Sequence, residues 1–152
     1  MDGVRRTFEI TFVDTSGNPI ANPTRPDTSN AIPVLDVMVC APGTMTVHGE
    51  RCKALIDTGA DHAVAAISVI NSVEGTLLGA IENRGVSGKL ETTLHDVTFM
   101  LTDTCGNHQA IHSDCVATND PHPAYKVILG RSLLRHGSLV LDYLAGRFEF
   151  KL

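Results

Sequence analysis

The sequence predicts an all-β domain, on three observations. Of its 152 residues, 14 are Val, 9 Ile and 15 Thr, so one residue in four is β-branched and suits a pleated, half-buried backbone. Thirteen Gly and seven Pro punctuate the chain throughout, which leaves little room for long helices. Apolar residues alternate with polar ones in several short runs, the period of a strand with one buried face. At this length the chain can build one domain with a real core and not two ordinary ones, so residues 1–152 are read as a single domain.

The elements follow in order. Phe8, Ile10 and Phe12 alternate with Thr7, Glu9 and Thr11 and predict an opening strand. Residues 14–33 carry Pro19, Pro23, Pro26 and Pro33 among polar residues and read as a long exposed loop. Strands are predicted over 34–40 and 44–48, turned by Ala41-Pro42-Gly43, and over 52–56, which runs directly into Asp57. Residues 63–72 are apolar without clean alternation and fit a strand followed by a short helix. Strand-like residues flank the turn Gly85-Val86-Ser87-Gly88. Val97, Phe99 and Leu101 alternate again, and 110–117 is a further short strand. Val127-Ile128-Leu129-Gly130 is a buried strand ended by Gly, and 131–136 makes a helical turn or two, closed by Gly137 as a left-handed cap. Residues 138–142 and 147–152 form a closing hairpin around Ala145-Gly146, with Phe148, Phe150 and Leu152 on one face. No internal repeat and no low-complexity tract is seen.

Charge and composition exclude several classes. The net charge is −5 and the 12 Lys and Arg are scattered, so no basic stripe points to nucleic acid. No apolar run approaches the roughly 20 residues of a membrane-spanning helix. Asp2, Arg5, Arg6 and Glu9 do not fit a signal peptide beginning at Met1, so a cytoplasmic location without membrane contact is expected. Cys40, Cys52, Cys105 and Cys115 form no CxxC and read as buried free thiols, with a Cys105–Cys115 disulfide across a hairpin left open. Cys105, His108, His112 and Cys115 are all zinc-ligand types, but strand alternation puts them on mixed faces, so no metal is expected.

The strongest chemical signal is Ala54-Leu55-Ile56-Asp57-Thr58-Gly59-Ala60-Asp61, an apolar strand ending in a turn that presents one carboxylate. Alone, Asp-Thr-Gly is ordinary turn chemistry. Together with Ile128-Leu129-Gly130-Arg131-Ser132-Leu133-Leu134 later in the chain, and the Gly85-Val86-Ser87-Gly88 turn between them, it resembles the retropepsin-like aspartic proteases. That group comprises the retroviral proteases and their cellular and bacterial relatives. The stretch from Cys105-Gly106-Asn107-His108 to Leu134 is similar to the retroviral segment that runs into the helix. Segment 14–33 and hairpin 138–152 are longer than in the retroviral enzymes, and the tail is closer to cellular and bacterial members.

The resemblance implies a retropepsin-like closed β-barrel with one short helix in the C-terminal region and one domain per subunit. It implies an aspartic endopeptidase acting on peptide or protein substrates without a cofactor. Only one such motif is present, so the chemistry requires a homodimer with Asp57 from each chain as a shared dyad. By the same resemblance, Thr58 bonds across the dyad, and Gly59 brings backbone close to substrate and carboxylate. Ala60 is small enough to pack beneath the turn, and Asp61 pairs with Arg131. His62 and Ile128 line the substrate pocket, and Gly85, Val86, Ser87 and Gly88 form a flap. The long termini imply a dimer contact arranged differently from that of the retroviral enzymes. The rival expectation is a catalytically silent module of this fold that binds peptides or dimerises. A β-barrel binding domain unrelated to proteases stands behind it.

Overall fold

The computed structural model describes residues 5–43, 49–85, 88–119 and 121–152. The predicted strand 44–48 and two of the four flap residues, Val86 and Ser87, lie outside the described residues. The chain begins with β1 (Thr7–Glu9), β2 (Thr11–Val13), β3 (Pro19–Ile20), β4 (Ile32–Cys40) and β5 (Glu50–Ile56). It continues through β6 (Ala63–Ala66), α1 (Ile67–Ser72), β7 (Thr76–Gly85), β8 (Gly88–Thr102) and β9 (His108–Thr118). It closes with β10 (Val127–Leu129), α2 (Arg131–Leu134), β11 (Ser138–Asp142) and β12 (Arg147–Lys151).

Six strands close on themselves in the order β4-β5-β10-β6-β9-β8, because β8 also pairs with β4, from Val37 opposite Leu101 to Cys40 opposite Thr98. Closure removes the free edges that an open sheet of this size would expose. β3 and β2 extend from β4 on one side, and β7 pairs with β8 in a long hairpin. β1, β12 and β11 form a separate three-stranded sheet. Arg6 and Leu152 tie its end, each amide donating to the other's carbonyl at 3.0 Å.

Alternation decides what faces inward. Leu35, Val37 and Val39 of β4, Cys52, Ala54 and Ile56 of β5, and Val97, Phe99 and Leu101 of β8 all join one core. Phe8 and Phe150 join it from the three-stranded sheet, their rings 6.4 Å apart.

Several expectations need correction. The opening strand divides at Ile10: its amide continues the β1–β12 ladder to the Phe148 carbonyl at 3.2 Å, while the residues after it pair with β4, so Phe8 and Phe12 belong to different sheets although all three are buried. The 14–33 segment is not a plain loop, because Asp14 accepts from the Ser16 and Asn18 amides and turns the chain into a β2–β3 hairpin. Residues 63–72 form the strand and short helix that their pattern predicts, β6 and α1, so among the described residues α2 is not the single helix that the resemblance implies. Gly137 does not adopt a left-handed conformation. It is needed for a different reason, since a Cβ there would stand 2.2 Å from the Lys151 carbonyl oxygen. Cys105 and Cys115 do not face each other: Cys105 is exposed in the β8–β9 turn, while Cys115 is buried opposite His95.

Candidate active site

Asp57 leaves the end of β5, where β5 runs parallel to β10 and antiparallel to β4. Its amide donates to the Leu129 carbonyl at 3.2 Å, which continues the β5–β10 ladder by one residue. The chain then turns tightly. The Gly59 amide donates to Asp57 Oδ1 at 2.9 Å, and the Ala60 amide donates to the Asp57 carbonyl at 3.3 Å. One carboxylate oxygen is thus held by backbone. Asp57 and Ala60 are half-buried, while Thr58 and Gly59 are exposed.

A second loop locks this turn from behind. The amides of Arg131 and Ser132 donate to the carbonyls of Ala60 and Asp61 at 2.8 and 3.0 Å. Ser132 Oγ in turn accepts from the Ala63 amide at 3.1 Å. The Arg131 guanidinium pairs with Asp61 through Nη2 and donates through Nη1 to the Thr58 carbonyl at 2.9 Å. Gly130 permits this approach, since a Cβ on it would lie 2.2 Å from the His62 carbonyl oxygen and 2.8 Å from that of Ala60. In the sequence Gly130 and Ser132 stand only as motif letters, because no local pattern marks contact between distant loops.

Ile128 stands in register with Leu55 on one side and Val64 on the other. All three are half-buried, while their neighbours Ala54, Ile56, Val127, Leu129, Ala63 and Ala65 are buried in the core. They form an apolar strip on the outward face, and its Leu55 lies two residues before Asp57. Leu55 and Val64 are absent from the sequence-based site, and the two-residue period of β5 and β6 is the signal that finds them. Tyr125 is absent from it as well. Burial, and then the charge of Asp57, push its phenol up, so the ring lies within electrostatic reach of that carboxylate. It stacks on His122 with ring centres 4.6 Å apart.

His62 follows Asp61 and contacts Asp114 rather than Asp57, its Nδ1 3.5 Å from Asp114 Oδ2. Gly85 and Gly88 pair at the described end of the β7–β8 hairpin. The four zinc-type residues disperse: His108 bonds to Thr102 at 3.0 Å, His112 contacts Asp96 at 2.6 Å, Cys115 is buried and Cys105 is exposed. A cavity of about 560 Å³ lies elsewhere, lined by residues such as Phe8, Asp36, Met38, Arg51 and Lys53.

The architecture has counterparts among solved structures. The EIAV protease, solved with the inhibitor HBY-793, is similar at 26% identity and a TM-score of 0.52, over 72% of this chain and 93% of that one. A retropepsin-like aspartic protease from Rickettsia conorii is similar at 14% identity and a TM-score of 0.54, over 100% of this chain and 95% of that one. No family model and no curated protein matches the sequence. The fold is retropepsin-like.

Proposed function

We propose that the protein is a homodimeric aspartic endopeptidase whose active site is made by Asp57 from each of two chains. The observation that carries this reading is the bracing of Asp57. Gly59 holds its carboxylate, and Arg131 grips the same turn at Thr58 and Asp61. A carboxylate on an ordinary surface turn needs no second loop to fix it.

Two such carboxylates a few ångströms apart cannot both ionise, so the pair holds one proton. The ionised member takes a proton from water as that water attacks the peptide carbonyl carbon. The protonated member donates to the carbonyl oxygen. Collapse of the resulting tetrahedral species transfers a proton to the amine and breaks the C–N bond. This sharing predicts activity at acidic pH. The exposed Thr58 and Gly59 are free to meet the partner chain and the substrate backbone. Leu55, Val64 and Ile128 would supply apolar pocket surface, with His62 at its margin. The turn at residues 85–88 would act as a flap that covers bound peptide and excludes water. Because β1 pairs with β12 within one chain, the subunit contact falls on surfaces other than this pairing.

The test is a peptide-library digest at several acidic pH values with the wild-type chain and Asp57→Asn, beside sedimentation of both. Cleavage by the wild type alone, from a dimer, supports the proposal. Cleavage that survives the substitution, or full activity from a monomer, would overturn it. A stable dimer that binds peptides and cuts none would assign the protein to a non-proteolytic module.

A further inference from the structure

The cavity of about 560 Å³ opens where β4 changes partners along one edge, from Thr11 of β2 at Val34 to Leu101 of β8 at Val37. Its floor includes Met38 of β4 and Met100 of β8, which stand directly opposite each other. Alternation turns both away from the main core, which takes Val37, Val39, Phe99 and Leu101 instead. Both are nonetheless buried, in a small cluster of their own with Cys40. Methionine side chains are flexible and polarisable, so such a floor adapts to apolar groups of different shape. The volume is that of a small-molecule site.

Two walls flank this floor. β5 supplies one, with Arg51 opposite Met38 and Lys53 opposite Asp36. Glu9 of β1 and the turn after β8 make the other, joined where the Thr104 amide donates to the Thr7 carbonyl at 2.9 Å. Most polar groups of the cavity are already engaged. Lys53 Nζ is 2.6 Å from Asp36 Oδ1, and His108 Nδ1 is 3.0 Å from the Thr102 hydroxyl. Asp103 accepts from the Cys105 and Asn107 amides at 2.9 and 2.8 Å. One charge of each sign is left over. Among the described residues, neither the Arg51 guanidinium nor the Glu9 carboxylate has a hydrogen bond or an ion pair. The residue opposite Glu9 on β12 is Glu149, a like charge, and Glu149 is itself paired with Lys151 at 2.8 Å.

We propose that this cavity binds a short peptide with free termini and an apolar middle side chain. Leftover charges of both signs suit a zwitterion, whereas a simple anion or cation would meet one like charge. Arg51 receives the terminal carboxylate on its planar fork, and Glu9 receives the terminal ammonium. β4 separates β5 from β8, so the two walls stand two strand spacings apart, roughly 10 Å. An extended peptide of about three residues spans that distance. Its middle side chain then points to one face of the strand, onto Met38 and Met100. Asp57 does not line the cavity, so the site stands whether or not the chain cuts peptides.

Titration of the full chain with alanyl-leucyl-alanine tests it, read by NMR at methyl-labelled methionine. Met38→Leu and Met100→Leu assign the two signals of the floor. Both signals should shift and saturate, alike in the wild type and in Asp57→Asn. The acetylated peptide lacks the ammonium and the amidated one lacks the carboxylate, so each should bind several-fold more weakly. Glu9→Gln should weaken the free peptide and leave the acetylated one unchanged. Arg51→Gln should weaken the free peptide and leave the amidated one unchanged. Both positions are exposed, so the fold tolerates either change. Absence of the shifts, their loss in Asp57→Asn, or equal weakening of all three peptides by either variant would overturn the proposal. Tighter binding of octanoate or of free leucine than of the tripeptide would overturn it as well.

Discussion

Arg131 and Asp61 stand 70 positions apart in the sequence and are ion-paired, while the same guanidinium donates to the Thr58 carbonyl at 2.9 Å. One side chain therefore holds the Asp57 turn at two points, one on each side of Gly59 and Ala60. Both partners of the ion pair are more than half exposed, so the pair itself is worth little in stability. The hydrogen bond to backbone gives the contact its direction.

Arg131→Ala should destabilise the chain by roughly 1–2 kcal/mol, from the lost carbonyl bond and a weak ion pair. The loss in kcat should exceed what that figure suggests, with KM little changed, because a misplaced carboxylate is costly in orientation. Arg131→Lys should recover part of the stability and less of the activity, since one ammonium lacks the planar fork that spans both acceptors. Urea unfolding beside steady-state kinetics checks both. A selective rise in KM at unchanged stability would make Arg131 a substrate contact instead.

Gly130→Ala and Gly85→Ala separate close approach from simple turn preference. A Cβ at Gly130 would meet backbone oxygens at 2.2 and 2.8 Å, and backbone cannot swing aside as a side chain can. The substitution should cost more than about 3 kcal/mol or prevent folding. At Gly85 nothing among the described residues lies within 4 Å of such a Cβ and the backbone is not left-handed, so stability should stay within about 0.5 kcal/mol. Denaturant midpoints compare the two directly.

The legible parts of this protein are those with a period or an ordered motif. Phe8, Ile10 and Phe12 announce their burial by alternation, and Asp57 and Arg131 announce a common loop system through the order of their motifs. The break at Ile10 is not legible, because it falls where the chain passes from pairing with β12 to pairing with β4, two segments distant from it in the sequence. Gly137 misleads for a related reason, since a glycine required by a neighbouring strand looks the same as one required by its own φ. The His62–Asp114 contact depends on the parallel register of β6 with β9, which no local pattern encodes.

One local pattern carries more than its composition suggests. Asp14-Thr15-Ser16-Gly17-Asn18 and Asp103-Thr104-Cys105-Gly106-Asn107 build the same turn twice, with Gly17 and Gly106 at φ of 89° and 85°. Asp14 is held below the ordinary aspartate value of 3.8 chiefly by the Asn18 amide. Burial pushes Asp103 up, but the bonds from Asn107 and Cys105 outweigh it and its value is also lowered. Groups lowered in the folded chain contribute fully above their unfolded value and lose that contribution as pH falls through the folded one. Stability should therefore decline below about pH 4, and the decline should be shallower in the Asp14→Asn, Asp103→Asn double variant, whose amides cap without a charge. Chemical denaturation across that range measures the slope, and an unchanged slope would remove these turns from the acid response.

The cysteines should differ sharply in reactivity, because thiolate and not thiol attacks an alkylating agent. Burial pushes Cys115 up to about 12, helped by the charge of Asp114. Burial, then the charge of Glu50, push Cys52 up to about 11, and burial also raises Cys40. Cys105 alone among the four is exposed, in the β8–β9 turn. Brief treatment of the native chain with iodoacetamide should therefore modify Cys105 first, with the other three reacting only on unfolding. Peptide mass mapping reads the order of labelling. Early modification of Cys115 would mean that the β8–β9 pair opens in the native state.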